Sequence, residues 1–333
     1  MARLLGIDIS SRHVRAAVLR TAYRSVVLEA LLEQSYLPGD SPVPALQEIA
    51  SKLKVDAVGV ALPGDRCFYR RLELPATAAK EVDSVLAFEL ESSIPFEMEG
   101  AVYDHRQLRT VGAKGSDGEQ LVVFAAIARI EDVQDRIDIV KEAISREPDS
   151  VEPGSITLAN LQAIVPELSE PAELDGQPAP VALLDLGDTR SEIVIIDGKE
   201  ASFARTVSRG TDGLPGSADA IARELKQSFA AWRASGGGPV GSLLLVGSGA
   251  GVQGAEVFLQ AALGIPVKPL FASTKAALPG AKPQKATGRL EGLKLEDEAR
   301  LPSFAKAIAI ALGTDTKSRA LNLRQGPLEV ARS

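Results

Sequence analysis

One pattern occurs twice in this 333-residue chain, and it constrains the fold more than any other feature. An apolar run carries an aspartate near its end, a polar turn follows, and a second apolar run returns: GIDISSRHVRAAVL at the N-terminus and LLDLGDTRSEIVII near the middle. Short apolar runs separated by polar turns read as β-hairpins. Two such hairpins predict two similar halves whose Asp-bearing turns can face one another across a cleft. A third element, VGSGAG from Val246 to Gly251, is a strand running into a glycine turn and then a helix. Alone it is a common structural device, and only its order and spacing with the two hairpins point toward a nucleotide.

The rest of the chain fits an α/β protein with two lobes. A length of 333 residues exceeds one ordinary domain. Residues 1–76 read as the first part of the first lobe: a strand meander, the helical stretch PALQEIASKL and the strand VDAVGVALP. Residues 77–150 change character, with a helix from Thr77 to Ser93, the phrase SIPFEMEGAVYDHRQL, the strand QLVVFAAIA and a helix from Glu131 to Ser145. That content predicts a small inserted α+β subdomain. Residues 151–179 return to the first lobe and connect the two halves, and 180–300 form the second lobe, with DGK as a tight hairpin turn and a helix from Ala218 to Ala234. Lys, Pro and Gly without a lasting period over 272–300 predict a mobile loop, and 301–333 supplies a final helix, stopped by Gly313, and a tail.

Composition excludes several function classes. Apolar residues make up 45% and charged residues 24%, as in ordinary globular proteins. A formal net charge of -7 gives no global basic field for nucleic acid. Cys67 is the only cysteine, so an intramolecular disulfide and a thiolate metal cluster are excluded, which favours a reducing compartment. The N-terminal run has an Asp inside it, unlike an export signal, and no apolar run approaches the roughly 20 residues that span a bilayer. Membrane association is expected through partners or through a segment beyond Ser333. His13 and His105, each flanked by Arg, read as solvated surface residues, and Glu89 and Glu91 as solvent-facing. The serines lack a Gly-x-Ser-x-Gly elbow, which argues against a serine hydrolase.

LPATAAKEVDSVLAFELESSIPF followed by YDHRQL resembles the "Pro, helix, Ile-Pro-Phe, then Asp" signature of the PilM and GspL group within the actin-like superfamily, and FARTVSRG is similar to that group's second-hairpin return strand. The resemblance runs from Gly6 to Gly313. RALNLRQGPLEVARS is similar to the stretch that GspL proteins carry before their membrane helix, which tilts the expectation to secretion. The resemblance implies an actin-like (ribonuclease H-like) two-lobed fold with a small inserted α+β subdomain, at the cytoplasmic face of a bacterial inner membrane. The role it implies is that of a scaffold in the assembly platform of a type II secretion system, linking a secretion or pilus ATPase to bitopic inner-membrane proteins, with homodimerisation open. A PilM-type ATP-binding pilus assembly protein and a nucleotide-dependent kinase are the alternatives, and a filament-forming division actin ranks behind them because the tail lacks an amphipathic anchor helix.

In actin-like proteins the two turns hold ATP phosphates by backbone N–H groups and the Asp side chains hold Mg²⁺ through water. Carried over, the nucleotide candidates are Asp8, Ser10, Ser11, Arg15, Asp185, Gly187, Gly247, Gly249 and Gly251, with Asp8 and Asp185 as the metal candidates. Ser10 stands where nucleotide binders have Gly, Arg15 where they have Lys, and Asp188 adds negative charge where a polyphosphate would sit. No cofactor is therefore required by this reading, ATP with Mg²⁺ stays open, and no catalytic residue is assigned. Asp8 and Asp185 equally suit a purely structural role as turn-capping residues. Leu321, Asn322 and Leu323 are the partner-binding candidates, since an extended segment of alternating apolar residues can add to an open sheet edge, in this chain or in a neighbour.

Overall fold

The computed structural model describes residues 1–22, 25–116, 118–169, 173–271, 289–315 and 318–330. Both Asp-bearing runs form hairpins. β1 (Arg3–Ile9) pairs antiparallel with β2 (His13–Ala22), and β2 with β3 (Ser25–Ser35). On the other side of β1, β4 (Ala57–Leu62) and then β8 (Ser150–Pro153) add in parallel. The second sheet repeats this plan: β11 (Val181–Leu186), β12 (Ser191–Asp197) and β13 (Glu200–Val207) form a meander, while β14 (Ser242–Val246) and β15 (Val267–Pro269) extend β11 in parallel. The expected DGK turn closes β12 onto β13, with Gly198 at φ 68° supplying the left-handed residue.

Each sheet is covered on both faces, which is why its inner strands are almost wholly apolar. Over the first sheet lie α1 (Val43–Ala50) and α3 (Ile130–Ile144), burying Leu46, Val133 and Ile137 against Leu5, Val18 and Val60. Over the second lie α5 (Ala218–Ala234) and α6 (Ala255–Leu263), burying Trp232, Leu225 and Leu259. Between the sheets run the 3₁₀ segment Gly154–Ala163 and α7 (Leu301–Gly313), whose Phe304, Ile308 and Ala311 share one core with Leu4 and Leu19 of the first sheet and Val194 and Leu244 of the second. A helix packed between two sheets must be apolar nearly all round, as this one is. Its close approach to β1 uses Gly6, where a Cβ would meet the Ala307 carbonyl oxygen. Gly313 has a related role in place of the predicted helix stop: the cap is Thr314, in right-handed conformation, and a Cβ on Gly313 would strike the Glu152 carboxyl.

Between β4 and β8 the chain builds a separate three-stranded sheet, with β7 (Gln120–Arg129) between β5 (Cys67–Pro75) and β6 (Ala101–Val111). This sheet starts at Cys67, ahead of the Thr77 boundary read from the sequence. The helix read over Thr77–Ser93 is two pieces, a 3₁₀ turn Ala76–Lys80 and α2 (Val82–Glu91), because Glu81 at φ -127°, ψ 27° leaves the helical region. Val82, Leu86 and Leu90 of α2 pack on Leu121, Val123 and Ile127, while Glu89 and Glu91 are exposed. The small sheet also leans on the second lobe, through Arg106 to Glu200 (3.1 Å), Arg109 to Asp197 (3.8 Å) and the Arg71 guanidinium over Trp232.

Between the lobes lie α4 (Pro166–Ser169) and a small exposed hairpin of β9 (Glu173–Leu174) and β10 (Gln177–Pro178). Part of the segment expected as a loop over 272–300 is sheet. β16 (Arg289–Glu291) adds in parallel to β3, because Leu290 and Leu293 bury there; residues 272–288 lie outside the described residues. The described residues of the tail are bound to the fold as well. The Leu323 N–H donates to the Val151 carbonyl (2.8 Å) and the Val151 N–H to Asn322 Oδ1 (3.0 Å), while the Asn322 N–H reaches Asp104 Oδ2 (2.8 Å). Asn322 and Leu323 therefore line the β8 edge of their own chain. With Leu323 fully buried, the segment Leu321–Leu323 is not a free partner-binding strand.

Candidate functional site

The two Asp-bearing hairpins and the α7 side chains meet at a cleft of about 290 Å³. It is lined by Asp8, Ser10, Ser11 and Arg15 from the first lobe and by Asp185, Gly187, Asp188 and Gly247 from the second, so these sequence candidates do converge. Gly249 and Gly251 do not line it. Gly249 is a packing glycine whose Cβ would strike the Leu186 side chain, and Gly251 faces open space. Gly247 is required by the turn itself, at φ 82° and with Asp185 Oδ1 2.5 Å from where its Cβ would be.

The turns are occupied by their own hydrogen bonds. In the first, the Ser10 N–H donates to the His13 carbonyl (2.9 Å) and the His13 N–H to Ser10 Oγ (3.1 Å), while the Tyr36 hydroxyl holds the Ser10 carbonyl. In the second, the Gly187 and Asp188 carbonyls accept from Thr211 and Asp212 (2.9 Å each). Charges then tie the turns across the cleft. Arg12 forms a two-pronged pair with Asp212 (2.7 and 2.6 Å), Arg190 pairs with Asp65, and Arg15, held by Glu33, lies 3.4 Å from Ser248. His13 is no free surface residue: its ring meets Ser35 Oγ (3.2 Å) and faces Asp188 (3.9 Å). His105 likewise faces Asp83 (3.5 Å).

The cleft floor holds two charged residues that the sequence reading passed over. Lys306 of α7 places Nζ 3.3 Å from Glu192 Oε1 and 3.4 Å from Asp185 Oδ2. Glu192 of β12 also accepts the Gly64 N–H (3.2 Å) and the Ser155 N–H (2.8 Å), and the Ser155 hydroxyl donates to Asp185 (2.7 Å). Burial alone would pull the Lys306 ammonium down, but Glu192, Asp185 and Asp8 outweigh it and hold it above its usual range. Burial pushes Asp8 up, opposed by Lys306 and Arg15 and reinforced by Asp185 and Glu192. Both residues had a signal in sequence, since each is a lone charge inside an apolar element, FAKAIAI and SEIVII, and such charges are buried only when paired.

The residues present do not fit Mg-ATP. The Lys306 ammonium already engages Asp185, one of the two metal candidates, together with Glu192, Ser10 carries a Cβ at the phosphate turn, and Asp188 adds charge of the wrong sign. Among the described residues no three His, Cys, Asp or Glu side chains are grouped to hold a metal.

Two lobes of duplicated topology, closing on an Asp-lined cleft with an apolar helix between them, define the actin-like class. Within that class the chain belongs to the PilM family of type IV pilus assembly proteins, whose model matches residues 6–220. It is similar in fold to a chain of the PilM-PilN type IV pilus biogenesis complex, at 19% identity over 93% of this chain and 97% of that chain, with a TM-score of 0.71. It is also similar to the cytoplasmic domain of EpsL, an inner membrane component of the type II secretion system of Vibrio cholerae, at 15% identity over 98% and 100% of the two chains, with a TM-score of 0.47. No curated protein sequence matches it. Among the described residues no helix is long and apolar enough to cross a membrane.

Proposed function

We propose that this protein is a scaffold at the cytoplasmic face of a bacterial inner membrane, joining an assembly ATPase to the cytoplasmic segment of a membrane-anchored platform protein. The family match over residues 6–220 carries this reading. Two features support a binding role over a catalytic one: the cleft turns are engaged by their own hydrogen bonds and ion pairs, and the carboxylates at its floor are neutralised from within the chain. The solved PilM–PilN complex supports a partner of the PilN kind.

Between the two machines we favour the pilus. The family match points there, and the NLRQG tail that tilted the sequence reading to secretion lies outside the matched residues and is bound to the chain's own sheet edge. The test is co-purification of the intact chain with the pilus platform proteins and pilus ATPase, and separately with their secretion counterparts. Retention of a pilus component above an unrelated control is expected. Retention of secretion components alone would move the protein to the other machine, and retention of neither would refute the scaffold.

A further inference from the structure

At the floor of the cleft between the two hairpins a lysine side chain stands among the carboxylates. Lys306 reaches down from α7, meets Asp185 of β11 and Glu192 of β12 within 3.4 Å, and lines the same cleft floor as Asp8 of β1. It is only 9% exposed, nearly as deep as Glu192 and deeper than Asp185. The loops after β4 and β8 close round the same point, because Gly64 and Ser155 donate their N–H groups to Glu192. Gly64 is needed for this, as a Cβ there would collide with the Glu192 carboxylate.

We propose that Lys306 is the cleft's own cation, an internal counter-ion that takes the place of a bound divalent metal and fastens the second lobe's hairpin to α7 and the first lobe. Two carboxylates on adjacent strands with a third opposite them repel unless a cation lies between them, and an ammonium already hydrogen-bonded to two of them fills that position. A magnesium ion entering there would have to displace the Lys306 ammonium from both carboxylates. The lobes are thereby held closed by covalently attached groups, together with Arg12 to Asp212 and Arg190 to Asp65 across the cleft mouth. The inference holds for whichever machine the chain serves.

The experiment compares the full chain with Lys306→Met, which removes the ammonium and keeps an apolar stem of similar length. Thermal unfolding is followed with and without Mn²⁺ or Ca²⁺, and Mn²⁺ binding is read by electron paramagnetic resonance. The expected result is no cation effect on the native chain, and a midpoint rise of at least ~2 °C with cation in Lys306→Met, because a ligand that binds only the folded state stabilises it. The rise should vanish in Lys306→Met/Asp185→Asn. If Lys306→Met folds and does not respond to cations, the proposal fails. Should that variant not fold, the native chain decides: Mn²⁺ or Mg-ATP bound there and lost on Asp185→Asn would overturn the proposal, and no Asp185-dependent binding upholds it.

Discussion

Replacing Gly6 by alanine adds one methyl group at the point where α7 lies closest to β1. Its carbon would stand 2.0 Å from the Ala307 carbonyl oxygen and 2.4 Å from the Ala311 nitrogen, both backbone atoms of the helix. Ordinary contact with such atoms is ~3.4 Å, so the helix must retreat by about 1 Å or more, and a gap of that size forfeits a quarter to a half of each dispersion contact on its far side. That far side is well packed, with Phe304, Ile308 and Ala309 buried against the second sheet or the 3₁₀ segment between the lobes. Overpacking of a tight core costs up to ~3 kcal/mol, and alanine recovers at most ~1 kcal/mol by restricting the unfolded chain, so a net loss of about 2 kcal/mol is expected. In urea, with a slope of ~3 kcal/mol/M for a chain of this size, the midpoint should fall by about 0.7 M. Far-UV circular dichroism and the fluorescence of Trp232, the sole tryptophan and fully buried in the second lobe, provide two readings. Gly100→Ala, where a Cβ meets nothing within 4 Å, is the control and should leave the midpoint unmoved. A Gly6→Ala midpoint within ~0.3 M of the native chain would show that α7 does not press on β1 as described.

Three further outcomes are expected. Burial pushes the Glu152 carboxyl up to about 8, so the unfolded chain releases this proton first and stability should fall as pH rises from about 4.5 to 8, by on the order of 3–5 kcal/mol; Glu152→Gln should flatten that dependence in urea midpoints taken across the window. Leu323→Ala, which empties a fully buried site beside β8, should cost about 3 kcal/mol and expose the tail to limited proteolysis before the rest of the chain. Burial pushes the Cys67 thiol well up, with Glu192 adding to the shift, so a thiol reagent at pH 8 should leave the folded chain unlabelled and react stoichiometrically once urea unfolds it.

Much of the frame was legible because its signals are local. The two Asp-bearing hairpins, the DGK turn and the helix Ala218–Ala234 each declare themselves by period and turn chemistry, and all stand where they were read. What was missed depends on partners distant in sequence. The three residues of β16 carry no period of their own and become a strand only because β3 offers an unpaired edge. Gly313 looks like a helix stop until Glu152, from another strand, is seen beside it. The cleft divides in the same way: Asp8 and Asp185 stand out by turn pattern and Arg15 by the family resemblance, whereas Glu192 and Lys306 lie 114 positions apart and acquire meaning only once paired.

That pairing bears on what a partner can use. Lys306 and its carboxylates tie α7 to the second lobe's hairpin through groups that belong to the chain. The tail acts in the same sense, where Leu323 closes the β8 edge, Asn322 joins it to Asp104 of β6 and Arg324 joins it to Glu147 after α3. The inserted sheet is held to the second lobe by Arg106 and Arg109. With cleft, edge and insert all fixed by internal contacts, a partner gains most from surfaces the fold leaves uncovered. Phe88 on α2, 74% exposed between the buried positions Leu86 and Leu90, is one such point. A frame tied together in this way loses little conformational entropy when such a surface is engaged.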